Sequence, residues 1–357
     1  MRRTTAIVVV MLLSIGTLMA QEPVKNIIFL IGDGMGIASV SMMQLHNNYE
    51  PTIFDKAENI ALQKTYSADN RVTDSAASGT ALASGYKTNN TFLGVTADGT
   101  PVKSLMEVAQ EKGMATGVVV TTYLQHATPA AFYAHIPNRH AYAAISKQLV
   151  NSKLDVAIGG GMEYLKEQYG SERNAKRAIE EAGFEYIDTM QELGKAESTT
   201  RTLAILADRE VGADSGDYLA EATATALALL EERDGDNGFV LMVEGSLIDG
   251  MGHANDAMAQ QKEMTGFMRA IEVAVEYAAA HPDTLVVVTA DHSTGGLSIV
   301  SADADFTLSE QGVEYRWTTK GHSGEMIPIY LYGAGAEQIN GIMENSALGA
   351  KLIKLIK

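Results

Sequence analysis

The chain alternates uniformly apolar, β-branched runs with amphipathic helical stretches, and few folds accommodate that pattern. Val24 to Ile31 shows no polar–apolar alternation, as a strand buried on both faces requires. Thr116 to Thr122, Leu154 to Ile158, Thr202 to Leu206, Phe239 to Val243, Leu285 to Thr289 and Ile327 to Tyr332 repeat the signal. Helical patterns lie between them, over Val102 to Lys112, His140 to Asn151, Arg173 to Ala182, Tyr218 to Arg233 and Asp256 to Ala280. This order predicts an α/β fold, a three-layer αβα arrangement around a large, mostly parallel central sheet. No internal repeat or Pro/Gly/Ser-rich linker interrupts it, so one continuous domain over 21–357 is expected.

Residues 1–20 read as a secretory signal. Arg2 and Arg3 precede an apolar stretch from Ala6 to Met19, and Ala20 before Gln21-Glu22-Pro23 offers a cleavage point. The stretch is short for a membrane span, so an exported chain, periplasmic or secreted, is expected. The sequence contains no cysteine, and disulfides play no part in its stability. Its formal charge of -17 argues against nucleic-acid backbones and anionic membrane surfaces as partners.

In open α/β sheets, ligands bind beyond the carboxyl ends of the strands. Asp33, in Gly32-Asp33-Gly34-Met35-Gly36, follows the first run, and His126 and Thr128 follow the second. Glu244 ends the Phe239 run, with Asp249 and His253 just after it. Asp291 and His292 end the Leu285 run, whereas His322 precedes the last run and must arrive on a loop. An acid and an imidazole directly after a buried strand need partners, and a metal serves both. Imidazole with carboxylate suits zinc, while the oxygens of Glu244 and Thr128 suit magnesium. Taken singly, each residue has a plainer role: Asp33 could cap a helix, and Asp249 with His253 could form a surface ion pair.

Val72-Thr73-Asp74-Ser75-Ala76-Ala77-Ser78 places a serine beside a carboxylate where an irregular stretch becomes a small-residue helix. Backbone N–H groups at a helix start favour an alkoxide or phosphoryl group there, although Asp74 or Ser75 could merely cap the helix. Arg139 carries a fork suited to two phosphate oxygens.

Together these segments resemble the alkaline phosphatase family. The matching motifs are Ile31 to Gly36, Val72 to Ser78, Gln125 to Ala131, Val243 to Asp249 with His253, Thr289 to His292, and Gly321 to Gly324 around His322. The resemblance implies hydrolysis of small phosphate monoesters through a phosphoseryl intermediate on Ser75. It implies one zinc ion held by Asp33, Asp291 and His292, and a second held by Asp249, His253 and His322. Magnesium would sit with Asp33, Thr128 and Glu244, while Arg139 grips phosphate and Asp74 orients Arg139. Family members are commonly homodimers.

Two positions depart from the best-known pattern. His126 stands beside the magnesium ligands where enterobacterial enzymes carry aspartate, which leaves the third-site metal open. Gly250 stands where members often place a side chain that helps hold phosphate. The short span between His292 and His322 implies an open rim and a broad substrate range. A phosphodiesterase or other hydrolase of the same metalloenzyme superfamily is the alternative, as is a non-catalytic phosphate- or metal-binding relative. A sulfatase is disfavoured, because the only X-Pro-X-Arg stretch has His135 where the modified Cys or Ser would be.

Overall fold

The computed structural model describes residues 23–212, 216–302 and 312–356. The proposed signal segment therefore lies outside the described residues. A ten-stranded sheet forms the centre, in the spatial order Gly341–Glu344, Asn59–Lys64, Ile327–Gly333, Thr284–Thr289, Asn26–Gly32, Phe239–Gly245, Ala115–Tyr123, Val156–Gly160, Arg201–Ile205, Phe184–Ile187. Only Ile327–Gly333 runs antiparallel to its neighbours. The remaining pairings are parallel, as the uniformly apolar runs predict.

Both faces of the sheet are covered. Along the first strand Ile27, Phe29 and Ile31 join one core, while Ile28 and Leu30 join the other. The first core includes Ala76 and Leu82 of the Ser75–Ser84 helix, Ile145 and Leu149 of Tyr142–Val150, and Leu348 and Leu352 of Asn345–Leu355. Leu219 and Leu230 of Tyr218–Arg233 and Phe267 and Ile271 of Ala257–Ala280 fill the second. Local chemistry sets the helix starts. Ser104 and Glu107 form a reciprocal capping box, and Asp256 caps the longest helix by accepting from Ala259 N–H.

Every apolar run named above is a strand of this sheet, and every helical pattern contains a helix. The pattern missed three edge or near-edge strands. Asn59–Lys64 is half exposed and carries Asn59, Gln63 and Lys64, while Phe184–Ile187 and Gly341–Glu344 have only four residues each. Among the described residues, no helix is long and apolar enough to cross a membrane.

Candidate active site

The strands that carry the candidate ligands lie side by side at the middle of the sheet. Ile31 is in register with Glu244 on one side and with Thr289 on the other. Asp33 and Asp291, each two residues further on, thus project past the carboxyl edge at the same level, beside Glu244. Val120 is level with Glu244 from the next strand, and the chain beyond it delivers His126 and Thr128. Gly34 permits the close packing below: at φ +71 its Cα faces Asp249 and Thr294, and an added Cβ would sit 2.8 Å from Asp249 Cα.

Asp33, Glu244, Thr128, Asp291 and His292 are wholly buried, and Ser75 is 2% exposed. Three groups of donor atoms converge: Asp33 with Asp291 and His292; Asp249 with His292 and His322; Asp33 with His126 and Glu244. The first is the predicted set. In the second, His292 lies where the sequence placed His253. His253 sits on the same Leu247–Ala254 helix as Asp249, with Nε2 3.2 Å from Asp249 Oδ2. In the third, His126 Nδ1 lies 3.9 Å from Asp33 Oδ2 and 4.0 Å from Glu244 Oε1.

Several oxygens of these buried carboxylates are left without a hydrogen-bond donor. Both Asp33 oxygens, Glu244 Oε1 and Asp291 Oδ2 accept no hydrogen bond. Burial, then Asp291, Asp249 and Glu244, push the Asp33 carboxyl well above its ordinary range. Burial raises Glu244 likewise, reinforced by Asp291 and Asp249. Such an arrangement calls for positive charge at its centre.

The imidazoles are oriented to match. His322 Nδ1 donates to Thr73 O at 2.8 Å, and His253 Nδ1 donates to Lys320 O, so each turns Nε2 inward. Thr294 sets His292. Its hydroxyl donates to Asp249 Oδ1 at 2.5 Å, so its oxygen can only accept from His292 Nδ1 at 3.2 Å. His292 Nε2 then faces Ser75 Oγ at 3.2 Å, Asp291 Oδ2 at 3.1 Å and Asp33 Oδ1 at 3.5 Å. Burial lowers the pKa of His322 to about 4, helped by His292 stacked on it at 3.6 Å. Its hydrogen bond to Asp249 raises His253 to about 9. Carboxylate oxygens without donors, facing imidazole Nε2 atoms whose Nδ1 is fixed, fit divalent cations.

Asp74 and Ser75 occupy the start of the Ser75–Ser84 helix, as anticipated. Asp74 Oδ1 caps it by accepting from Ala77 N–H at 2.9 Å, so the capping role is real. Asp74 Oδ2 accepts from Thr91 N–H and from Arg139 Nη1, both at 3.0 Å. Burial opposes the Arg139 charge, but Asp74 outweighs it and keeps the guanidinium protonated. Arg139 Nη2 meets His126 Nε2 at 3.3 Å. A guanidinium only donates, so the His126 proton sits on Nδ1, facing the carboxylates. Burial and Arg139 lower the His126 pKa to about 3, leaving the ring neutral. His126 is thus hydrogen-bonded to Arg139 through Nε2, while its Nδ1 stands in the third group without a hydrogen-bond partner. Nothing lies within 4 Å of a Cβ built on Gly250, so that position opens onto free space.

Sequence reasoning missed Thr294 and Ser246. Ser246 Oγ donates to Glu244 Oε2 at 2.6 Å, and each of the two hydroxyls lies two residues past a candidate ligand.

The profile of the alkaline phosphatase family matches residues 24–314. Alkaline phosphatase 3 of Bacillus subtilis is 33% identical over 94% of this chain and 90% of its own length. The Escherichia coli alkaline phosphatase is 29% identical over 92% of this chain and 85% of its own. The alkaline phosphatase of the Antarctic bacterium TAB5 superposes with a TM-score of 0.86 at 33% identity, covering 94% of this chain and 98% of that one. A histidine-to-aspartate variant of that enzyme holds Mg in its M3 site. Profile, relatives and sheet agree along nearly the whole described length, and the chain is a member of the alkaline phosphatase family.

Proposed function

We propose that this protein hydrolyses small phosphate monoesters to an alcohol and inorganic phosphate through a phosphoseryl intermediate on Ser75. One observation carries the reading: Ser75 Oγ, at a helix start, lies 3.2 Å from Nε2 of His292, a residue shared by two of the donor groups, while the adjacent Asp74 holds Arg139. Asp33, Asp291 and His292 would hold one zinc ion, Asp249, His253 and His322 a second, and Asp33, Thr128 and Glu244 magnesium, with His126 beside it. When bound, the cations would stabilise charge on the entering and leaving oxygens.

The protein's own groups do the positioning. Ser75 Oγ forms the new bond to phosphorus as the bond to the leaving oxygen breaks; water then attacks phosphoserine and releases phosphate. N–H groups of the first helical turn face the phosphoryl oxygens and favour their negative charge. Arg139, fixed on Asp74, offers its fork to two of those oxygens. We further propose export of the chain after cleavage near Ala20, one catalytic domain over 21–357, and assembly as a homodimer.

Labelled substrate, quenched in acid during turnover, tests the reading. Label should map to Ser75, and Ser75→Ala should lose both the label and most of the rate. Label on another residue, or an unchanged rate in Ser75→Ala, would overturn it.

A further inference from the structure

Ser78 has no place in the chemistry above, yet it is wholly buried and one helical turn beyond Ser75. A serine inside a helix commonly bonds back to the carbonyl four residues earlier, as Ser84 does to Thr80 O at 2.6 Å. Ser78 instead donates out of its helix, to Asp291 O at 2.6 Å. Two serines one turn apart therefore engage consecutive residues just past the Thr284–Thr289 strand: Ser75 meets His292, and Ser78 meets Asp291. The helix is docked on that strand end at two points.

Behind Ser78 stands Asn345, the first residue of the Asn345–Leu355 helix, also wholly buried. Asn345 Nδ2 donates to Ser78 Oγ at 3.0 Å, while its Oδ1 accepts from Ser346 N–H at 2.9 Å. With its proton given to Asp291 O, Ser78 Oγ can only accept from Asn345, so the relay has one direction. The two helices press together at Gly349, where an added Cβ would lie 2.5 Å from both Ala81 O and Leu82 O. The helix that carries Asn345 is thus held tightly against the Ser75–Ser84 helix.

We propose that Ser78, held by Asn345, is a positioning residue that sets the Ser75 hydroxyl against Asp291 and His292. The inference rests on Ser75 as nucleophile. Alanine is the stronger helix former, so Ser78→Ala should keep its helix while releasing it from Asp291. A small displacement of an attacking atom is costly to rate, up to about a hundredfold for 1 Å.

Rapid-quench phosphorylation of Ser75 in the metal-loaded enzyme tests this. Ser78→Ala should slow labelling by roughly tenfold or more, with KM within about twofold of wild type. Asn345→Ala should act in the same direction. The double variant should be no slower than Ser78→Ala, because Asn345 acts through Ser78. Ile179→Val, a core truncation in the Glu172–Glu181 helix that packs beside the edge strand Phe184–Ile187, should lower the melting temperature without slowing labelling. In a crystal structure of Ser78→Ala, the 3.2 Å separation of Ser75 Oγ and His292 Nε2 should widen. Wild-type labelling at Ser75 with an equal rate in Ser78→Ala would overturn this inference alone. Absence of label at Ser75 in the wild type would overturn the nucleophile assignment, and this inference with it.

Discussion

Removing one hydroxyl, in Thr294→Val, should loosen two cation sites at once. Thr294 is 2% exposed, so water cannot enter to replace what valine lacks. The lost bond to Asp249 Oδ1 involves a carboxylate and is worth about 1.5–3 kcal/mol, and the lost contact with His292 Nδ1 about 1 kcal/mol. Valine has the same shape, so no cavity adds to this and the total is roughly 2–4 kcal/mol. In metal-free protein that cost falls on the fold. In loaded protein it falls on affinity, because Asp249 and His292 are freer to turn away, and a loss of about 10–100-fold in zinc retention is expected. Competition with a chelator, followed by metal analysis, reads the effect directly, and Thr294→Ser, which keeps the hydroxyl, should retain zinc nearly as wild type does. The reasoning fails if Thr294→Val holds zinc as tightly as wild type, or if Thr294→Ser is equally impaired.

Arg139→Ala should weaken inhibition by inorganic phosphate by about 1.5–3 kcal/mol, the worth of a charged hydrogen bond; an unchanged inhibition constant would remove Arg139 from the site. His126→Asp should strengthen magnesium retention, because a carboxylate replaces a neutral ring beside Asp33 and Glu244 and hard cations prefer oxygen; equilibrium dialysis with magnesium should show tighter binding, and no change would place His126 outside that site's influence. The His135–Glu107 pair, 3.0 Å apart, makes stability pH-dependent. Its bond to Glu107 raises His135 above its ordinary 6.5, so that contribution is present at low pH and is lost as pH rises through the raised value. Burial works against Glu107, but His135 and Ser104 hold it below its ordinary value, so its share is lost in acid. The melting-temperature deficit of His135→Gln should therefore be larger at about pH 6 than at about pH 9; an equal deficit at both would refute the pairing.

The ligand-bearing strands were legible because burial on both faces leaves an unbroken apolar run, and their ends because an ionisable residue directly after such a run has few plain explanations. Asp33, Glu244, Asp291 and His292 all carry that signature. Asn59–Lys64 does not, since its apolar run is only Ile60 to Leu62, with Ile60 exposed and the polar Gln63 taking a buried position. Thr294, Ser246, Ser78 and Asn345 left no signal either. Hydroxyls and amides are common throughout the chain, and only three-dimensional proximity tells which of them hold a ligand in place. The assignment of His253 and His292 between neighbouring groups is likewise a matter of ångströms, which residue spacing does not encode.

The central place of the Asn26–Gly32 strand constrains how the molecule comes into being. Its parallel neighbours are Phe239–Gly245 and Thr284–Thr289, and Asn26 Oδ1 accepts from Phe239 N–H across 213 residues of sequence. Contacts so distant in sequence close late and slowly, because the intervening chain must surrender its freedom first. Until then this apolar strand has no partner in the sheet, which exposes the newly made chain to aggregation. Asp33 waits as well, since Glu244 and Asp291 reach it only when the sheet closes on both sides. A cation offered to the unfinished chain finds scattered carboxylates rather than a site, so loading must follow folding.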